Sequence, residues 1–127
     1  MSYAIIWIDH EQAKLTRFSE TEMERKHFKA HHVDHHSHRA YDYEHDSPKF
    51  YDDVGAELGK DDRILIIGPG IAKKHFLNRL QEKHADIAKR VIACESSDHP
   101  TDNQISAYAE KYFQRDLDLA IQARTAK

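Results

Sequence analysis

Arg63-Ile64-Leu65-Ile66-Ile67-Gly68-Pro69-Gly70 is the stretch whose reading decides the fold. Four aliphatic side chains in a row leave no polar position for a solvent face, so Ile64 to Ile67 reads as a strand buried on both sides of a sheet. Such a strand needs a layer of structure on each face. Gly68-Pro69-Gly70 ends it. Ile71 to about Ile87 then places Phe76, Leu77, Leu80 and Ile87 at helical spacing, and Arg90 to Glu95 is the next strand. A strand, a crossover helix and a second strand form a parallel unit.

Upstream, Tyr3-Ala4-Ile5-Ile6-Trp7-Ile8 is another continuous apolar run. It reads as a second strand buried on both faces. Asp9 to Gln12 is a polar turn, Ala13 to Phe18 alternates loosely, Ser19 to Thr21 is a turn, and Glu22 to Ala30 is a charged strand suited to an edge. Three strands with short links predict an antiparallel meander. Ser47 and Pro48 supply an N-cap and a first helical residue, followed by Phe50, Tyr51, Val54 and Leu58 on one helical face and Gly59 as a stop. Pro100 and Thr101 open the last helix, where Thr101 with Gln104 fits a capping box. Ile105, Tyr108, Ala109, Tyr112 and Phe113 are its apolar stripe, and Asp116 to Lys127 extends it. The order β-β-β-loop-α-β-α-β-α predicts an α/β protein with a five-stranded mixed sheet in three layers, the layout of a ribonuclease H-like fold.

A chain of 127 residues fits one domain, taken as residues 1–127. The run from Tyr3 to Ile8 is too short for a signal-peptide core or a membrane span, so the expectation is a soluble, cytoplasmic protein with no membrane partner. Cys94, the single cysteine, permits no internal disulfide and reads as a buried, inert thiol suited to a reducing compartment. Formal net charge is −3 with the eleven histidines neutral, and reaches +8 if all are protonated. Charge is also segregated. Tyr41 to Asp62 carries eight acids and two lysines, whereas Ile71 to Arg90 carries six bases and two acids. The basic stretch is therefore a candidate anion-binding face.

The most biased segment is 31–46, read as a mobile loop with almost no aliphatic residues. It holds His31, His32, His35, His36 and His38. His31/His35 and His32/His36 stand four apart, so a helical turn there brings each pair onto one face able to hold zinc or nickel. A solvated, pH-responsive loop that touches anions explains the same residues. No cofactor is required by either reading.

Gly68-Pro69-Gly70 before a helix invites a phosphate onto free backbone N–H groups, although the Walker and full dinucleotide spacings are absent. Lys73, Lys74 and His75 stand in the first turns, where positive charge opposes the helix dipole. A bound anion makes sense of them; a tight turn before a solvated basic helix is the alternative. Asp9, Asp52, Asp53 and Glu57 are the acids that a nuclease with two metals would recruit, but they also read as turn and surface acids. Asp98 and His99 suggest an acid–base pair or a polar turn before Pro100.

Trp7-Ile8-Asp9-His10 leading into Ala13-Lys14-Leu15, the histidine run 31–38, Ile67-Gly68-Pro69-Gly70 with Lys73, and Asp98-His99-Pro100-Thr101-Asp102 occur in this order. Together they resemble a bacterial family known as translational machinery proteins. That family is similar to the middle domain of the archaeal and eukaryotic class-one peptide release factor and of Pelota. The resemblance covers about residues 3–114. It implies a ribonuclease H-like fold, a ribosomal partner and a stand-alone middle domain. Release factors carry a Gly-Gly-Gln motif after the third strand. Here that place is held by His31 to Asp46, and the sequence contains no Gly-Gly-Gln.

The expectation is a non-catalytic, translation-associated module that binds the ribosome or structured RNA. Lys73, Lys74, Arg79, Lys83, Lys89 and Arg90 would contact phosphates beside Gly68 and Gly70, with Arg39, Tyr41 and Tyr43 stacking on bases. A histidine-rich metal-binding protein is the alternative, and a nuclease a third.

Overall fold

The computed structural model describes residues 2–19, 22–30 and 48–125, with side chains as far as residue 114. The elements are β1 (Tyr3–Ile8), β2 (Gln12–Phe18), β3 (Met23–Lys29), α1 (Pro48–Leu58), β4 (Arg63–Gly68), α2 (Ala72–Lys83), α3 (Ala85–Ala88), β5 (Val91–Ser96) and α4 (Asp102–Thr125). They build one five-stranded sheet in the order β3-β2-β1-β4-β5. β1 pairs antiparallel with β2 and parallel with β4, β2 pairs antiparallel with β3, and β4 pairs parallel with β5. The mixed sheet expected from the sequence is the one observed.

Alternation along β1 divides the core. Ala4, Ile6 and Ile8 point to one face, where they join Phe50, Val54, Leu58, Phe76 and Leu80 of α1 and α2. Tyr3, Ile5 and Trp7 point to the other, against Ile105, Ala109 and Phe113 of α4. Every residue of β1 is buried, because helices cover both faces. Truncating an aliphatic side chain such as Ile6 or Leu65 to alanine costs about 2–5 kcal/mol at a site of this kind.

Three expectations are corrected by the structure. The helix expected from Ile71 to Ile87 is two helices. His84 takes φ −139° and ψ 56° between them, and its N–H still bonds to the Leu80 carbonyl at 2.7 Å. Its ring is drawn to Asp52 on α1, with Nε2 3.0 Å from Oδ1. That side-chain tie replaces continued helix. Cys94 is half-buried rather than buried, because β5 lies at the sheet edge and is partly covered along its length. Tyr108, assigned to the apolar stripe of α4, is 40% exposed. Among the described residues, no helix is long and apolar enough to cross a membrane.

Candidate functional site

The chain leaves β1 toward β2 on one side and leaves β4 toward β5 on the other. Adjacent parallel strands that part in this way open a crevice beyond their carboxyl ends, the usual ligand position in open α/β sheets. At this edge Gly68 is pressed against β1. A Cβ at Gly68 would stand 2.1 Å from the Ile8 carbonyl oxygen, so only glycine fits. Gly70 takes φ +61°, the left-handed turn that launches α2. Ile71, at the helix N-cap, offers no side-chain acceptor to the first turn. The rings of His10 and His75 meet edge-on across the crevice with centroids 6.2 Å apart. Ala30, where the described part of β3's exit ends, is tied to this edge by its N–H bond to the Glu11 carbonyl.

The six basic residues expected to meet phosphate divide into two groups. Lys73 is only 4% exposed, and its amine donates back to the Gly70 carbonyl. Arg79 grips Asp52 through Nε and Nη2, both at 2.9 Å. Arg90 donates to the carbonyls of Gly59 and Asp61. These three are tied into the fold. Lys74, Lys83 and Lys89 are exposed. Arg39, Tyr41, Tyr43, His31, His32, His35, His36 and His38 lie outside the described residues.

The acids considered for a nuclease are occupied. Asp9 Oδ1 accepts the N–H groups of Glu11 and Gln12, both at 2.8 Å, and so shapes the β1–β2 turn. The hydrogen bonds of Arg79, aided by His84, hold the Asp52 carboxyl at about 2. Glu57 is also held at about 2, chiefly by Lys26, then by Lys60 and Arg17. Asp53 pairs with Lys49 at 3.6 Å. Among the described residues, no three histidine, cysteine or acidic side chains gather as a metal would require. Burial raises the Cys94 thiol above its usual range, against the pull of Lys73 and Lys74.

A second feature at the same edge escaped the sequence reading. Between β5 and α4 lies an open cleft of about 610 Å³, floored by Ile67 and Ile105 and walled by Ser97, His99, Pro100 and Tyr108. Trp7 fixes its rim: the indole N–H donates to the Asp98 carbonyl at 2.7 Å. The His99 ring lies 5.3 Å from the Trp7 ring, and its Nδ1 is 3.2 Å from Asp98 Oδ1. The Tyr108 hydroxyl donates to Glu95, and burial with that carboxylate pushes the phenol up to about 12. The capping box forms as expected, with Thr101 N–H to Gln104 Oε1 at 2.8 Å and Gln104 N–H to Thr101 Oγ1 at 3.2 Å. The sequence signal for this cleft was the polar run Ser96 to Thr101 at the carboxyl end of a strand.

No protein-family model matches this chain, and no curated protein does. Solved structures do match. The chain is similar to Pelota from Archaeoglobus fulgidus, with a TM-score of 0.65 and 17% identity over 97% of this chain and 36% of that one. An archaeal translation termination factor gives 0.60 and 19%, over 98% of this chain and 40% of that one. Pelota from Thermoplasma acidophilum gives 0.57 and 14%, over 81% and 30%. The chain thus spans less than half the length of each. At these identities the likeness is one of fold.

Proposed function

We propose that this chain is a translation-associated module that binds the ribosome or its RNA in the cytoplasm and does not itself catalyse peptide release. The observation that carries this reading is the fold shared, over nearly the whole chain, with Pelota and with an archaeal translation termination factor. The exposed lysines add to it: Lys74 stands at the crevice edge on the first turn of α2, while Lys83 and Lys89 stand toward the other end of the sheet, and all three suit phosphate contacts. The sequence has no Gly-Gly-Gln, and the acids near the sheet are held by cations or by turns, which favours binding over hydrolysis. Segment 31–46, which follows Ala30 in the sequence, is the proposed contact element, its histidines serving a partner rather than storing metal.

Co-sedimentation of untagged protein with ribosomes tests the proposal. Binding should weaken as salt rises, and again when residues 31–46 are replaced by a short glycine-serine linker. Binding indifferent to both changes, or no binding at low salt, would overturn it.

A further inference from the structure

We infer that the cleft between β5 and α4 receives an unpaired RNA base, which deepens the proposed function by naming what one part of the surface would read. The cleft has the size of a small-molecule site, roughly 300–1,000 Å³, at about 610 Å³. Its floor is apolar, from Ile67 and Ile105, while two exposed rings, His99 and Tyr108, stand on its walls. Exposed flat rings favour a planar aromatic ligand, because stacking gains from the ring face. The rings are pre-set. Tyr108 is oriented by its hydroxyl bond to Glu95, and the loop carrying His99 is anchored through Asp98 by Trp7. Ordering cost on binding is correspondingly small.

Charge narrows the ligand further. The Asp98 side chain is 99% exposed at the rim and is an acceptor only. A carboxylate there repels a phosphate but accepts from the amine of cytosine. The site therefore favours cytosine over uracil, with the strand's phosphates directed away from Asp98.

Trp7, the only tryptophan in the chain, is bonded to the rim and 2% exposed, so its emission reports on occupancy. The experiment titrates intact protein with single-stranded RNA hexamers, C6 and U6, at low salt. Saturable change in Trp7 emission with tighter binding of C6 is expected. Tyr108→Leu should weaken C6 binding about tenfold, and Tyr108→Phe should keep it within about twofold, as loss of one stacked base predicts. Circular dichroism of both variants confirms the fold. C6 binding unchanged in both Tyr108→Leu and His99→Ala overturns the cleft inference and leaves RNA binding through α2 intact. Ribosome co-sedimentation without hexamer binding overturns the inference alone. A response to an arginine-rich peptide with none to C6 makes the cleft a peptide site and overturns it as well.

Discussion

At the amino edge of the sheet, Arg17 on β2 bonds Asp61 through Nε at 2.7 Å and Nη2 at 3.0 Å, and reaches Glu57 at 3.1 Å. Lys26 and Lys60 close on the same Glu57 carboxylate. The Asp61 side chain is fully buried, and Arg17 is 11% exposed. At the carboxyl edge the arrangement is reversed: Lys73 is folded inward onto its own loop, Lys74 stands in solvent, and aromatic rings line an open cleft. Charge at one end is spent on joining α1 to the meander. At the other end it is left available, and that is where a partner can be met.

The contrast is broken most severely at the closed end. Arg17→Met leaves Asp61 buried without its cation and should cost about 3–5 kcal/mol, read as a lower urea midpoint. A loss below about 1 kcal/mol would mean that the network is ornamental. Next comes Gly68→Ala, whose Cβ meets the Ile8 carbonyl. It should lose about 1–3 kcal/mol by forced strand displacement, and thermal melts would show it. Acid tests the carboxylates directly. Asp52 and Glu57 sit at about 2 when folded, below the ordinary range near 4. The unfolded chain therefore binds more protons, and stability present above about pH 5 is lost as pH falls toward 2. Denaturant midpoints across that range should fall less steeply in Glu57→Gln.

For the solvent-exposed lysines of α2 and the segment after it, the effects on stability should be smallest and those on binding clearest. Replacing Lys74, Lys83 and Lys89 together by glutamine should leave stability within about 0.5 kcal/mol. Ribosome binding should weaken, with a salt slope flatter by up to about three phosphate contacts. An unchanged slope would move the contact surface elsewhere. The histidine tract sharpens the last point. Untagged protein purified without added metal and then dialysed should retain well below one zinc per chain, and stoichiometric zinc by mass spectrometry would favour metal binding instead.

Most of the framework was legible because it rests on periodicity. The apolar runs of β1 and β4 admit only a doubly covered sheet, and Pro48 and the Thr101 to Gln104 capping box mark helix starts through local chemistry; the N-cap expected at Ser47 lies outside the described residues. What was illegible depends on contacts distant in sequence. Nothing near His84 announces that Asp52 will draw its ring and end α2 early. Lys73 and Arg79 read as free cations because helical position says nothing of the Gly70 carbonyl or of a carboxylate 27 residues away. The cleft was missed for the same reason, since Ile67, His99 and Tyr108 come from three separate elements.

The edge position of β3 has a consequence for how copies of the protein treat one another. Its seven residues include Glu24, Arg25, Lys26, His27 and Lys29, and among the described residues it occupies the end of the strand order. A bare sheet edge is a template on which another chain can add a strand. Crowding that edge with charge makes the addition of a sixth strand unfavourable, so the polarity that marked β3 as an edge strand in the sequence also discourages edge-to-edge aggregation.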